Sequence, residues 1–131
     1  GLDRGHYNLG LAYFTGNHGI EKDVKKATHH FEHAAIRGNT AARDLLGKIE
    51  SQNGDNARAL RHWMIAARAG SDSCMDIIKK MALECNPPLA TKEQYVETLR
   101  AWKDASDEMK SEQREKAIAL IKQSGDRQTL L

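Results

Sequence analysis

Cysteine, proline and aromatic residues are all scarce in this 131-residue chain: two Cys, two Pro, two Trp, three Tyr and two Phe. Each scarcity excludes something. No run approaches the roughly 18–20 apolar residues of a membrane span. Cys74 and Cys85 stand 11 residues apart; on one helix that is about 16 Å, whereas a disulfide needs Cα atoms within about 7 Å. Two free thiols and an intracellular, cytoplasmic location are therefore expected. Charge of one sign is missing as well. Twenty basic and 18 acidic side chains are interspersed to a net +2, without the basic stripe that marks a nucleic-acid binder. What is present is ordinary: hydrophobic residues at 40%, enough for a buried core.

One helix is written nearly twice. "KKATHHFEHAAIRG" (25–38) is followed 32 residues later by "ARALRHWMIAARAG" (57–70). Ala27, His30, Phe31, Ala34, Ala35 and Gly38 fall on Ala59, His62, Trp63, Ala66, Ala67 and Gly70. The i, i+4, i+7, i+8 spacing of Ala27, Phe31, Ala34 and Ala35 is one helical face. Its aromatic is a large anchor, its alanines admit a close neighbour, and the glycine is a left-handed stop. Upstream of each copy a second helical segment carries a Leu-Gly pair, Leu9-Gly10 and Leu46-Gly47. A glycine inside a helix costs about 1 kcal/mol in propensity, so its recurrence predicts a tight helix crossing. Leu9, Gly10 and Tyr13, then Leu46 and Gly47, are assigned to that packed face.

Continuing the period leads Leu46 to Ile78, Ala42 to Cys74 and Trp63 to Tyr95. The loop "CNPPLAT" (85–91) holds both prolines, and Thr91 with Gln94 reads as a capping box. Trp102 stands where the stop glycine would be, so the last helix is expected to run on. The charged stretch 103–117 reads as a solvated helix or one broken near Ser111. Ala117, Ile118, Leu120 and Ile121 are candidates to fold back, and 124–131 to fray. The predicted architecture is all-α: an α/α superhelix, or right-handed solenoid, of stacked antiparallel hairpins at about 5–38, 39–70 and 71–102. A capping helix extension and frayed terminus (103–131) follow. Gly38-Asn39 aligns with Gly1-Leu2, so the chain is expected to be the C-terminal part of a longer array.

The pattern Leu9, Gly10, Tyr13, Gly16, Gly19, Ile20, Asp23, Lys26, Ala27, Phe31, Ala34, Ala35 and Gly38 resembles the Sel-one-like repeat, a relative of the tetratricopeptide repeat. Gly5 replaces the family's first alanine, one extra residue lies between Gly16 and Gly19, and His30 stands where Trp or Tyr is usual. The second unit keeps only Asn53-Gly54-Asp55 of the long loop and has Glu50 for the tyrosine; the third is degenerate. The resemblance covers residues 1–102 and implies an adaptor or scaffold that binds a protein or peptide.

In stacked hairpins the first helix of each unit lines the concave side. Rotated toward that groove are Arg4, Tyr7, Leu11 and Phe14, then Asp44, Lys48 and Gln52, then Asp76, Lys80 and Glu84. The Asp-Lys pair at i, i+4 recurs after 32 residues, a ladder of mixed charge beside an apolar end. Each pair is either a surface salt bridge worth a few tenths of a kcal/mol, or part of a site where Tyr7 and Phe14 anchor a peptide while Lys48 and Lys80 fix its register. His29 and His33, at i, i+4, raise a metal site, but His30 and His62 fill a packing position and no metal or cofactor is expected. Cys74 replaces a core alanine, and "TGNHG" (15–19) lacks the lysine of a phosphate loop. The expected function is non-catalytic, with a purely structural C-terminal cap as the alternative and an enzyme third.

Overall fold

The computed structural model describes residues 2–129, with side-chain surroundings for 4–125. The described residues form six α-helices: α1 (Leu2–Thr15), α2 (Val24–Ile36), α3 (Thr40–Gln52), α4 (Asn56–Arg68), α5 (Asp72–Leu83) and α6 (Lys92–Thr129). No strand occurs among them, so the described part of the chain is all-helical. Each helix packs on its neighbour in the chain, most closely within α1/α2 and α3/α4, and α6 lies against both α4 and α5.

Local chemistry sets the ends. Asp23, Asn39, Asp55 and Ser71 each accept the backbone N–H three residues on through their side chains, satisfying amides the first turn leaves orphaned. Thr91 and Gln94 close the expected box in both directions, at 2.9 and 3.0 Å. The stops also repeat. Gly38 and Gly70 have φ of 95° and 103°, and flanking amides bond back in one pattern: Asn39 to Ala34 and Gly38 to Ala35, then Ser71 to Ala66 and Gly70 to Ala67. These are paired six-to-one and five-to-two bonds of a Schellman end, which needs a left-handed residue that glycine adopts without strain.

Two cores result. Phe31, Ala27, Ala34, Ala35, Ala42, Leu46 and Ile49 form one; Trp63, Ala59, Leu60, Ala66, Cys74, Met75 and Ile78 lead the other. Both Leu-Gly crossings are as tight as expected. A Cβ on Gly10 would lie 2.5 Å from the Phe31 ring, and one on Gly47 would lie 2.5 Å from the Trp63 indole. Each aromatic is seated on a bare patch of the opposite helix.

Three expectations are corrected. Leu9 is 45% exposed and not on the packed face, because Gly10 rather than Leu9 sits under Phe31. Of the two courses open to the charged stretch 103–117, it takes the solvated helix, since α6 continues through Ser111; residues 103–124 contain no Gly or Pro to interrupt the ladder. Ile118, Leu120 and Ile121 do not fold back, being 47%, 67% and 71% exposed. The continuous helix carries them outward, and it reaches Thr129 where fraying was expected from 124; residues 130 and 131, and Gly1, lie outside the described residues.

Candidate functional site

The residues expected to line a groove sit on α1, α3 and α5, and their surroundings divide them sharply. Tyr7, Leu11 and Phe14 are half-buried and pack against the first core. The Tyr7 and Phe14 rings lie 6.1 and 6.2 Å from Phe31, centroid to centroid. Much of their apolar surface is thus already used inside the hairpin. Leu11 also lines an open hollow of about 480 Å³ with Asn8, Ala12, Thr15, Asn17 and His18. Arg4 is exposed on the same helix.

On α3, Asp44 is committed. Its Oδ1 accepts the Trp63 indole N–H at 2.9 Å, and Oδ2 pairs with Lys48 at 3.6 Å. The carboxylate therefore pins the α4 anchor as well as facing outward. Lys48 and Gln52 are exposed. On α5, Asp76, Lys80 and Glu84 are exposed too, and the ion pair closed at Asp44 and Lys48 has no counterpart at Asp76 and Lys80. The structure brings Lys48 to Asp44 and leaves the α5 rung open. Glu84 is the C-cap of α5.

Sequence spacing missed several contacts. Trp102 donates its indole N–H to Asp72 at 2.9 Å, a second tryptophan tied to a first-helix carboxylate. His6 carries no spacing signal, yet its Nδ1 lies 3.1 Å from that of His30; their separation of 24 residues becomes a contact only when α2 packs back on α1. The His30 ring is stacked on Tyr13, 3° from parallel at 5.7 Å, so the aromatic position is filled by stacking, as its packing role requires. His62 meets Arg43 at 3.3 Å. Arginine only donates, so the His62 Nδ1 accepts and the ring is neutral there. Burial first, then Arg43, holds it below the usual imidazole range.

Cys74 is buried and Cys85 half-buried, both as free thiols. Burial pushes the Cys74 thiol up, against weaker opposition from Ser71, which is the opposite of an activated nucleophile. Among the described residues no three His, Cys, Asp or Glu side chains are grouped to hold a metal ion, and no helix is long and apolar enough to cross a membrane. The arrangement offers exposed charge of both signs on α3 and α5 and a partly covered apolar face on α1. No protein-family model matches the chain, no curated protein does, and no solved structure does.

Proposed function

We propose that the chain is a non-catalytic protein-interaction module of Sel-one-like repeats, its hairpins stacked as a solenoid, that binds a protein or peptide through the first-helix faces. The observation carrying this reading is the contrast between the two sides of those helices. Gly47, Leu46, Cys74 and Ile78 are consumed by packing, while Lys48, Gln52, Asp76, Lys80 and Glu84 are exposed at repeat-related places. Such a surface suits an extended or helical segment whose carboxylates meet Lys48 and Lys80. Two unpaired thiols fit a reducing, cytoplasmic setting.

The test is Lys48→Glu with Lys80→Glu. Partner capture by the double variant is expected to fall at least tenfold against the parent, with the melting temperature unchanged. Undiminished capture would remove the α3 and α5 face from the binding surface. A second reading, a purely structural segment of a longer array, is favoured by one observation: Tyr7, Leu11 and Phe14 serve their own hairpin. Under it, neither parent nor double variant captures anything, and only a longer chain does.

A further inference from the structure

All six histidines lie within the first 62 residues, and four of them meet where α1 crosses α2. His6 comes from α1; His29, His30 and His33 come from α2. His6 and His30 are joined Nδ1 to Nδ1 at 3.1 Å. His6 is stacked on His33, 4.8 Å between centroids and 17° from parallel. His29 meets His33 edge to face at 4.6 Å and His30 at 5.8 Å. The His6 and His33 rings lie face against face, so their lone pairs do not converge on one point, in keeping with the lack of any three-ligand metal group among the described residues.

The joint between His6 and His30 has a protonation rule built in. One Nδ1 must carry a proton and the other must be bare, because an imidazolium donates from both nitrogens and accepts at neither. The bond therefore tolerates one positive charge on the pair and is broken by a second. The stacked His6/His33 and the edge-on His29/His33 contacts also bring like charges together once the rings are protonated.

Among the described residues, little nearby offsets that charge. From α1 the cluster is faced by Tyr13, against the His30 ring. From α2 it is faced by Lys26, whose ammonium lies 5.4 Å from the Tyr13 ring centre and adds charge of the same sign. The charged groups of α3, which packs on α2, are engaged elsewhere. Asp44 holds Trp63 and Lys48, Glu50 meets Arg58, and Arg43 meets His62. Glu32 of α2 acts on His62. No ion pair joins a carboxylate to any of the four rings among the described residues.

We propose that the α1/α2 seam is a proton-sensitive joint: neutral imidazoles knit α1 onto α2, and acidification charges the cluster, breaks the His6–His30 bond and releases α1 while α5 and α6 stay packed. Release uncovers Phe31, which α1 seats, and frees Tyr7, Leu11 and Phe14 from it. The direction of titration agrees. His30 is held below its ordinary value of 6.5 by its burial first and by His6, His29 and His33 after it. The unfolded chain then takes up the proton before the folded one. Stability is fully present above about 6.5 and is lost as the pH falls through the lower folded value.

The experiment is amide hydrogen exchange on the full chain between pH 7.5 and pH 5, read as protection factors corrected for the intrinsic rate, in buffer with and without a chelator. Protection in α1 and α2 is expected to fall tenfold or more, and in α5 and α6 to change less than twofold. In His6→Phe with His30→Phe the fall in α1 and α2 should vanish. Should that variant not fold, an imidazole titration of the parent followed by NMR serves instead, with His30 expected to titrate below its ordinary value of 6.5. A flat profile in the parent, an equal loss in every helix, a fall that survives in the variant, or a His30 titration at its ordinary value would each overturn the proposal. So would a pH response that disappears with the chelator, which would point to a bound metal.

Discussion

The first two helix pairs, α1/α2 and α3/α4, and the third, α5/α6, seat their aromatics differently. Phe31 and Trp63 rest on the bare backbone of Gly10 and Gly47 and are almost fully buried. Their counterpart Tyr95 is only half-buried, and the residue after Ile78, where Gly47 would lead, is Lys79, exposed on α5. The third pair instead uses Thr98, fully buried, with its hydroxyl bonded to the Gln94 carbonyl at 2.7 Å, and Trp102 tied to Asp72. At the two crossings that carry a glycine the opposing aromatic closes on bare helix backbone, while in the third pair, with Lys79 at the matching position, Tyr95 keeps part of its surface exposed.

The largest effect should come from removing an anchor. Trp63→Ala is expected to cost about 3–5 kcal/mol, the range for a large buried aromatic, because it empties the second core and strips Asp44 of its indole partner. Tyr95→Ala should cost about 1–2 kcal/mol, within the ordinary range for a half-buried site. Urea melts of the two variants decide the matter, and equal losses would erase the distinction between the hairpins.

Next comes the seat itself. Gly47→Ala places a methyl within 2.5 Å of the Trp63 ring, and overpacking of that kind costs about 1–3 kcal/mol. Lys79→Ala, at the matching place in α5, should stay within about 0.5 kcal/mol of the parent. A neutral Gly47→Ala melt would mean that the Trp63 ring slides aside and the crossing is loose.

The smallest effect belongs to the far end of α6. Ending the chain after Ser111 should leave the melting midpoint within the change that about 0.5 kcal/mol produces, while the helical circular-dichroism signal falls in proportion to the residues lost. A destabilisation of several kcal/mol would show that the exposed segment packs on the body after all.

Much of the hairpin plan could be read from the residues, because it rests on contacts within one turn of chain. The Thr91 and Gln94 box and the Gly38 and Gly70 stops are of this kind, and the Leu-Gly pairs identified the crossings. The candidate groove was legible only as a list of outward positions. Asp44 looked like one half of a surface pair, yet its second role depends on where the Trp63 indole lands, 19 residues away. His6 carried no signal at all, since nothing in its neighbourhood distinguishes it until α2 returns alongside. Leu9 reads as packed from its hydrophobicity, yet it is 45% exposed because Gly10 is the residue under Phe31. The course of α6 past Trp102 was ambiguous because a charged stretch with no apolar stripe supports a lone helix and a broken one equally well.

The length of α6 also governs how the molecule turns in water. Its 38 residues span about 57 Å at about 1.5 Å per residue, and every described residue from Asp107 to Gly125 is exposed. The body and its projecting rod therefore present unequal axes to the solvent. Tumbling should be anisotropic, with slower end-over-end rotation than a sphere of the same mass. Nuclear spin relaxation along α6 should register that axis directly, and a fluorophore near Ser124 would depolarise with a correlation time set by the rod.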